Sequence, residues 1–297
     1  MVRVRVPATT ANLGPAFDAV GMALQLYNTV EMDIISQGLR FEISGVGADF
    51  IPRNGSNLIY KVARKVLERV GFEAPGLHIR LNNGIPVSSG LGSSAAAIVG
   101  AMVAANELSG SRLTQEELLV MATELEGHPD NVAPALLGGV VVAVGSEGRV
   151  EHFEFDPPEG MMAVVAIPSF PMSTKAARGL LPSGISFQDA VFNVGRTALL
   201  VASLAKGHLE GLLVGMEDKL HQPYRSPLIP GMDEVFAEAK KAGAKGVALS
   251  GAGPTLIAFT RGNEEKIAAT MQNTWQDHGV ETQVLVVAPD RKGACIS

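Results

Sequence analysis

The densest chemistry in the chain lies in the run Pro86-Val87-Ser88-Ser89-Gly90-Leu91-Gly92-Ser93-Ser94-Ala95-Ala96-Ala97. Gly90 and Gly92 allow close backbone approach to a ligand and access to positive φ. Ser93 and Ser94 then open a helix whose first turn is built of small residues. The first N–H groups of a helix have no intrahelical acceptor, and its dipole is positive at that end. Such a turn suits an anion, phosphate above all. A Walker A loop would need Lys and then Ser or Thr after its second glycine, and no lysine follows Gly92. Gly90-x-Gly92-x-x-Ala95 fits a loose dinucleotide pattern. Pro86, however, interrupts the strand that pattern requires, and a helix rather than a strand is predicted next. A side chain at Gly92 is expected to crowd the bound phosphates.

Periodicity supplies the elements that must position this loop. Strands are predicted over residues 2–6, 24–35, 41–44, 77–82, 139–144, 162–167, 247–249, 255–260 and 281–287. Helices are predicted over residues 57–70, with Asn57 as N-cap, and 93–108. A capping box at Thr114 and Glu117 opens a third, ending near Glu126. Further helices are expected over 187–206, 209–220, 233–242 and 264–278. Strands and helices mix without a strict βαβ rhythm, so the class is α+β. The run Asp156-Pro157-Pro158-Glu159-Gly160 divides residues 1–155 from residues 156–297, two expected domains. The chain has 297 residues, of which 46% are hydrophobic and 18% charged, which excludes disorder. Its net charge of −6 disfavours nucleic acid and anionic membranes as partners. One cysteine, Cys295, excludes an internal disulfide and points to a reducing compartment. No apolar run has the length of a signal peptide or membrane span, so a cytoplasmic protein is expected.

Three motifs together resemble the GHMP kinases. They are Pro7-Ala8-Thr9-Thr10-Ala11-Asn12-Leu13-Gly14-Pro15-Ala16-Phe17-Asp18, the glycine-serine loop, and Leu249-Ser250-Gly251-Ala252-Gly253-Pro254-Thr255. They occur in the family's order and span nearly the whole chain. Within the family, three further runs resemble the branch that phosphorylates the side-chain hydroxyl of L-homoserine with MgATP in threonine biosynthesis. These are Gly127-His128-Pro129-Asp130-Asn131-Val132, Ser173-Thr174-Lys175-Ala176-Ala177-Arg178 and His221-Gln222-Pro223-Tyr224-Arg225. The resemblance implies an N-terminal domain like domain 2 of ribosomal protein S5 and a ferredoxin-like C-terminal domain, with the active site between them. It also leaves room for a homodimer.

The same resemblance implies roles for individual residues. Residues Pro86 to Ala96 are expected around ATP, with Asn57 near the adenine at the polar run Arg53 to Leu58. Ser94 and Glu126 are expected to hold Mg²⁺, which prefers oxygen ligands. Glu124 lies on a different helix face, so only one of the two acids can meet the metal. Asp18 suits the substrate ammonium, and Arg178 and Arg225 its carboxylate. Asn12, His128 and Thr174 are expected at its remaining polar atoms. Lys175 would add positive charge at the phosphates. Asp130 and Asn131 belong in the site, with no general base assigned. The Ser250 loop is expected to brace the phosphate loop and the substrate pocket. A mevalonate- or sugar-type kinase of the same family, or a non-catalytic binding relative, stands as the alternative. A Ser/His hydrolase is excluded because no Gly-x-Ser-x-Gly elbow occurs.

Overall fold

A computed structural model describes residues 1–297. In chain order its elements are β1 (Val2–Ala11), β2 (Val20–Ile34), β3 (Gly38–Gly45), α1 (Leu58–Arg69), β4 (Gly76–Asn83), α2 (Ser93–Leu108), α3 (Gln115–Glu126), α4 (Pro129–Leu137), β5 (Val140–Ser146) and β6 (Arg149–Phe155). They continue as β7 (Met162–Pro168), α5 (Thr174–Gly179), α6 (Phe187–Lys206), α7 (Leu212–Gly215), α8 (Gln222–Arg225), α9 (Met232–Ala242), β8 (Gly246–Leu249), β9 (Leu256–Thr260), α10 (Glu264–Asp277), β10 (Thr282–Val287) and β11 (Cys295–Ile296).

The first sheet is organised by β2, whose 15 residues form the longest strand. One edge of β2 pairs with β1 along almost its whole length. The other edge serves two strands: β4 along Asn28–Ile34 and β5 along Val20–Met22. Strand β3 adds to β4 in parallel, and β6 to β5 as a hairpin. Pro7 does not end β1, as the predicted limit at Val6 would have it. It sits at a register shift, where Pro7 faces Tyr27 but Ala8 faces Leu24, so the proline falls where the ladder is already interrupted. The C-terminal strand β11 returns to pair with β1 at Val4 and Arg5.

The second sheet is antiparallel in the order β10-β7-β9-β8. Numbered within that sheet, this is 4-1-3-2, the ferredoxin-like order that the resemblance implied. Its helices α9 and α10 pack on one face around Trp275, Met271 and Val235, all fully buried. Its other face shares a core with the first sheet: Ala163, Val165, Ile257 and Phe259 belong to the same apolar cluster as Val4, Val30 and Leu67. The two sheets are therefore joined by continuous packing, which holds the site between them in one arrangement.

One long helix predicted from periodicity is absent. Residues 209–220 form a 3₁₀ turn at Leu209–Gly211, the short α7, and irregular chain. The side chain of Asp218 explains the break. Its Oδ1 accepts the backbone N–H of Leu220, and its Oδ2 accepts those of His221 and Gln222. These bonds satisfy the backbone without a helical ladder and start α8 instead.

Candidate active site

A cavity of about 430 Å³ lies between the two sheets. The glycine-serine loop forms its floor. Gly92 caps α2 with φ 66°, and Gly90 has φ 89°. The backbone N–H groups of Ser93, Ser94 and Ala95 meet no protein acceptor, and the first helical bond runs from Ala96 to the Gly92 carbonyl. The helix starts where the sequence predicts, and its unpaired N–H groups have the geometry that suits an anion. Val87, Ser88, Ser89, Gly90, Gly92, Ser93 and Ser94 line the cavity. Leu91, Ala95 and Ala96 are fully buried beneath it, and Pro86 lends its carbonyl to the Ser89 hydroxyl. The side chains of these four support the loop and do not line the cavity.

A Cβ at Gly92 would overlap Thr9 Oγ1 and press on Asn131 Oδ1 at 3.2 Å. The expected crowding of phosphates is thus preceded by a collision inside the protein. Thr9 Oγ1 donates to Asn131 Oδ1 at 2.8 Å, an orienting bond that the sequence did not disclose. At Gly90 a Cβ would overlap the Ser250 carbonyl. The Ser250 loop clasps this whole region. Ser250 Oγ reaches the Gly90 carbonyl at 2.7 Å and Thr10 Oγ1 at 2.9 Å, and Thr255 N–H donates to the Ser89 carbonyl.

The opposite end of the cavity is charged. The loop from β1 to β2 holds three non-glycine residues at positive φ: Asn12 at 68°, Leu13 at 45° and Asp18 at 58°. Asn and Asp tolerate this region better than most residues. Asn12 holds the loop shut: its Oδ1 accepts Asp18 N–H at 2.9 Å and its Nδ2 donates to the Gly251 carbonyl at 2.9 Å. Arg178 donates two bonds to the Asp18 carboxylate, 2.6 and 2.9 Å long. The sequence reading gave these two side chains separate ligand groups; in the structure each is the other's partner. The Asp18 bonds, then its charge, raise the Arg178 pKa against the opposing pull of desolvation. Arg225 is buried, and desolvation beside the Arg178 charge depresses its pKa to about 10. Phe17 packs against both guanidiniums, with its ring centroid 5.1 Å from Arg178 Cζ and 5.4 Å from Arg225 Cζ.

Between the two ends stand the residues of α3 and α4. Pro129 opens α4 at a position where a missing N–H costs nothing. Gly21 on β2 lets α4 approach, since a Cβ there would overlap the Asp130 carbonyl. Asp130 is fully buried and pairs closely with His128 Nδ1. Burial alone would lower the His128 pKa, but the bond to Asp130 and the charges of Asp130 and Asp18 outweigh it and raise it. Glu126 accepts the Ser94 hydroxyl at 2.9 Å, and desolvation pushes its pKa up. Ser94 and Glu126 thus form an all-oxygen pair beside the phosphate turn, a donor set that fits Mg²⁺. A second group, Asp18, His128 and Asp130, brings three ligand atoms within 4.8 Å of one another. Glu124 faces a separate surface hollow with Glu116, Glu117 and His152.

Two expected contacts take other places. Lys175 is exposed and does not line the cavity; its neighbours Ser173 and Thr174 do. Arg178, one turn further along α5, does line the cavity and reaches Asp18. Asn57 lines the cavity, but its Oδ1 caps α1 at Ile59 N–H and its Nδ2 donates to the Pro52 carbonyl. Phe50, Ile51, Pro52 and Leu58 give that end an apolar wall. Phe50 is 89% exposed and carried no recognisable signal in the sequence.

Comparison with known proteins agrees with this geometry. The profile of the GHMP kinases N terminal domain matches residues 57–139, and that of the GHMP kinases C terminal region matches residues 200–277. Homoserine kinase of Carboxydothermus hydrogenoformans is 50% identical over 294 residues, 99% of this chain and 96% of that protein. Homoserine kinase of Moorella thermoacetica is 49% identical across the full length of both. The crystal structure of homoserine kinase from Cytophaga hutchinsonii superposes with a TM-score of 0.91 at 32% identity, covering 100% of this chain and 97% of that one. With both domain profiles, an unpaired helix turn over the glycine-serine loop and relatives aligned end to end, the chain belongs to the GHMP kinases, in their homoserine kinase branch.

Proposed function

We propose that the chain transfers the γ-phosphoryl group of ATP to the side-chain hydroxyl of L-homoserine, giving O-phospho-L-homoserine and ADP, in threonine biosynthesis. Whole-length likeness to homoserine kinases carries this reading. The charge layout of the cavity agrees with it. An unpaired helix turn at one end suits phosphates. An acid and two guanidiniums at the other suit a zwitterion, which neither mevalonate nor a sugar would need. We place the reaction in the cytoplasm.

The residues divide the work as follows. The N–H groups of Ser93, Ser94 and Ala95 receive phosphate oxygens. Ser94 and Glu126 would hold Mg²⁺, which supplies charge neutralisation at the phosphates when bound. The amino acid enters by exchanging partners: its ammonium takes Asp18, while its carboxylate takes Arg178 and Arg225. Each charge in the Asp18–Arg178 pair then keeps a partner, which spares the cost of a stranded ion. Asn131, oriented by Thr9, and His128, held by Asp130, stand beside the position of the hydroxyl. The transition state of phosphoryl transfer is loose, so an aligned hydroxyl releases its proton late and needs no strong base. Mixing the protein with MgATP and L-homoserine and following the products by ³¹P NMR tests the reading. A new phosphomonoester on the homoserine side chain, formed with ADP, is expected. ATP left intact, or hydrolysed to free phosphate, would contradict it.

A further inference from the structure

His221 is a completely buried histidine that none of the steps above uses. Its Nε2 lies 2.7 Å from the Gly14 carbonyl oxygen, and its Nδ1 lies 3.0 Å from Arg225 Nη1. A carbonyl can only accept and a guanidinium can only donate. Both contacts are satisfied together only by a neutral ring with its proton on Nε2. Burial holds the ring's pKa below the ordinary histidine value, and the Arg225 charge adds to this against the opposing Asp218 carboxylate. That carboxylate, 3.5 Å from Nε2, is already engaged by the N–H groups of Leu220, His221 and Gln222 and by the Asn193 amide.

The consequence falls on Arg225. Its Nη1 is held by His221 Nδ1 and by the Gly251 carbonyl at 3.1 Å, and its Nε faces the Ala177 carbonyl at 3.4 Å. Its Nη2 meets no protein acceptor, and the residue lines the cavity. Phe17 packs beside both partners, with its ring centroid 5.2 Å from that of His221. A planar guanidinium fixed along one side can offer only its remaining arm. We propose that His221 is a positioning residue: as the neutral Nε2–H form it ties Arg225 to the Gly14 loop and aims Nη2 at the substrate carboxylate. This rests on the amino-acid site proposed above.

The test is a double-mutant cycle with Arg225, read as KM for L-homoserine, KM for ATP and kcat. His221→Phe keeps the ring and removes both hydrogen bonds. It should raise the homoserine KM by about tenfold, the scale of one lost bond to a charged group. The ATP KM should stay within about twofold, because the phosphate turn is untouched. His221→Gln, which can still donate and accept, should recover most of the loss. Arg225→Ala should raise the same KM, and His221→Phe should then add nothing. Fully additive losses, an unchanged homoserine KM in His221→Phe, or equal loss of both KM values would overturn the positioning role. A wild-type protein with no homoserine-dependent ADP formation would instead overturn the reading of the site. Should His221→Phe fail to fold, ¹⁵N NMR of histidine-labelled wild-type protein decides between the ring forms. A neutral Nε2–H ring at His221 is expected; a charged ring or the Nδ1–H form would overturn the proposal.

Discussion

Arg178 and Arg225 share a charge and one end of the cavity, yet their surroundings give them different work. Arg178 is partly exposed and spends both arms on Asp18, while Arg225 is buried with one arm free. Arg225→Ala should therefore weaken amino-acid binding by about 1.5–3 kcal/mol, the range for hydrogen bonds to charged groups, while ATP binding persists. Calorimetric titration with each ligand checks this; equal weakening of both would contradict it. Glu126→Gln should cut turnover strongly with little change in melting temperature, whereas Glu124→Gln, on its separate surface hollow, should behave as wild type. Steady-state rates across a Mg²⁺ series distinguish them. The His128–Asp130 pair adds a pH signature. The folded pKa of His128 is raised, so the pair's stabilisation is complete below about pH 6.5, the unfolded value, and is lost as pH rises through the folded value. His128→Gln should flatten the fall in melting temperature over that window, and an unchanged profile would contradict the pairing. The residue types of this site were legible in the sequence, and so was the grouping of Asp18 with two arginines. Their pairing was not. Asp18 and Arg178 stand 160 positions apart, and nothing in either segment says whether they face a ligand or each other.

At the scale of elements, what was legible follows periodicity and capping. The capping box at Thr114 and Glu117 starts α3 as expected, and Asn57 caps α1. Short elements escaped: α4, α5, α8 and β11 are too brief to show a period, and Asp218 replaces the predicted end of a longer helix with side-chain bonds. Long-range fits escaped as well, because a glycine announces freedom but not the neighbour that demands it. Gly92 is the clearest case. Its left-handed φ already disfavours a side chain, at a cost of about 1–2 kcal/mol, and its β position overlaps Thr9. Gly92→Ala should lower both stability and ATP affinity. In a Thr9→Ala background the collision is reduced, so the double variant should be more stable than the sum of the two single losses predicts. Thermal melts of the four proteins provide the comparison, and strict additivity would contradict the contact.

At the scale of the molecule, the site exists because two sheets share one core and a clasp. The first sheet supplies the Asn12–Asp18 loop and the phosphate turn; the second supplies the Ser250 loop, whose bonds run to Gly90, Thr10 and Ala11. The three family motifs were visible as separate runs of sequence. Their meeting was implied by the resemblance, and the physical reason for it lies in the fold: Ser250 and Gly251 bond to Thr10, Ala11 and Asn12 of the first motif, and the missing side chain at Gly90 lets the Ser250 loop close on the second. In the exchange proposed for the Asp18–Arg178 pair, both substrate charges are needed, since either alone would strand one partner. The most direct measurement is coupled ADP release with MgATP over a panel of L-homoserine, 4-hydroxybutyrate, 3-aminopropanol, mevalonate and galactose. Rapid turnover of L-homoserine is expected, with kcat/KM for each of the others lower by about a hundredfold or more, on the scale of one lost charge-assisted contact or more. Comparable turnover of mevalonate or a sugar, or of the two singly charged analogues, would contradict it.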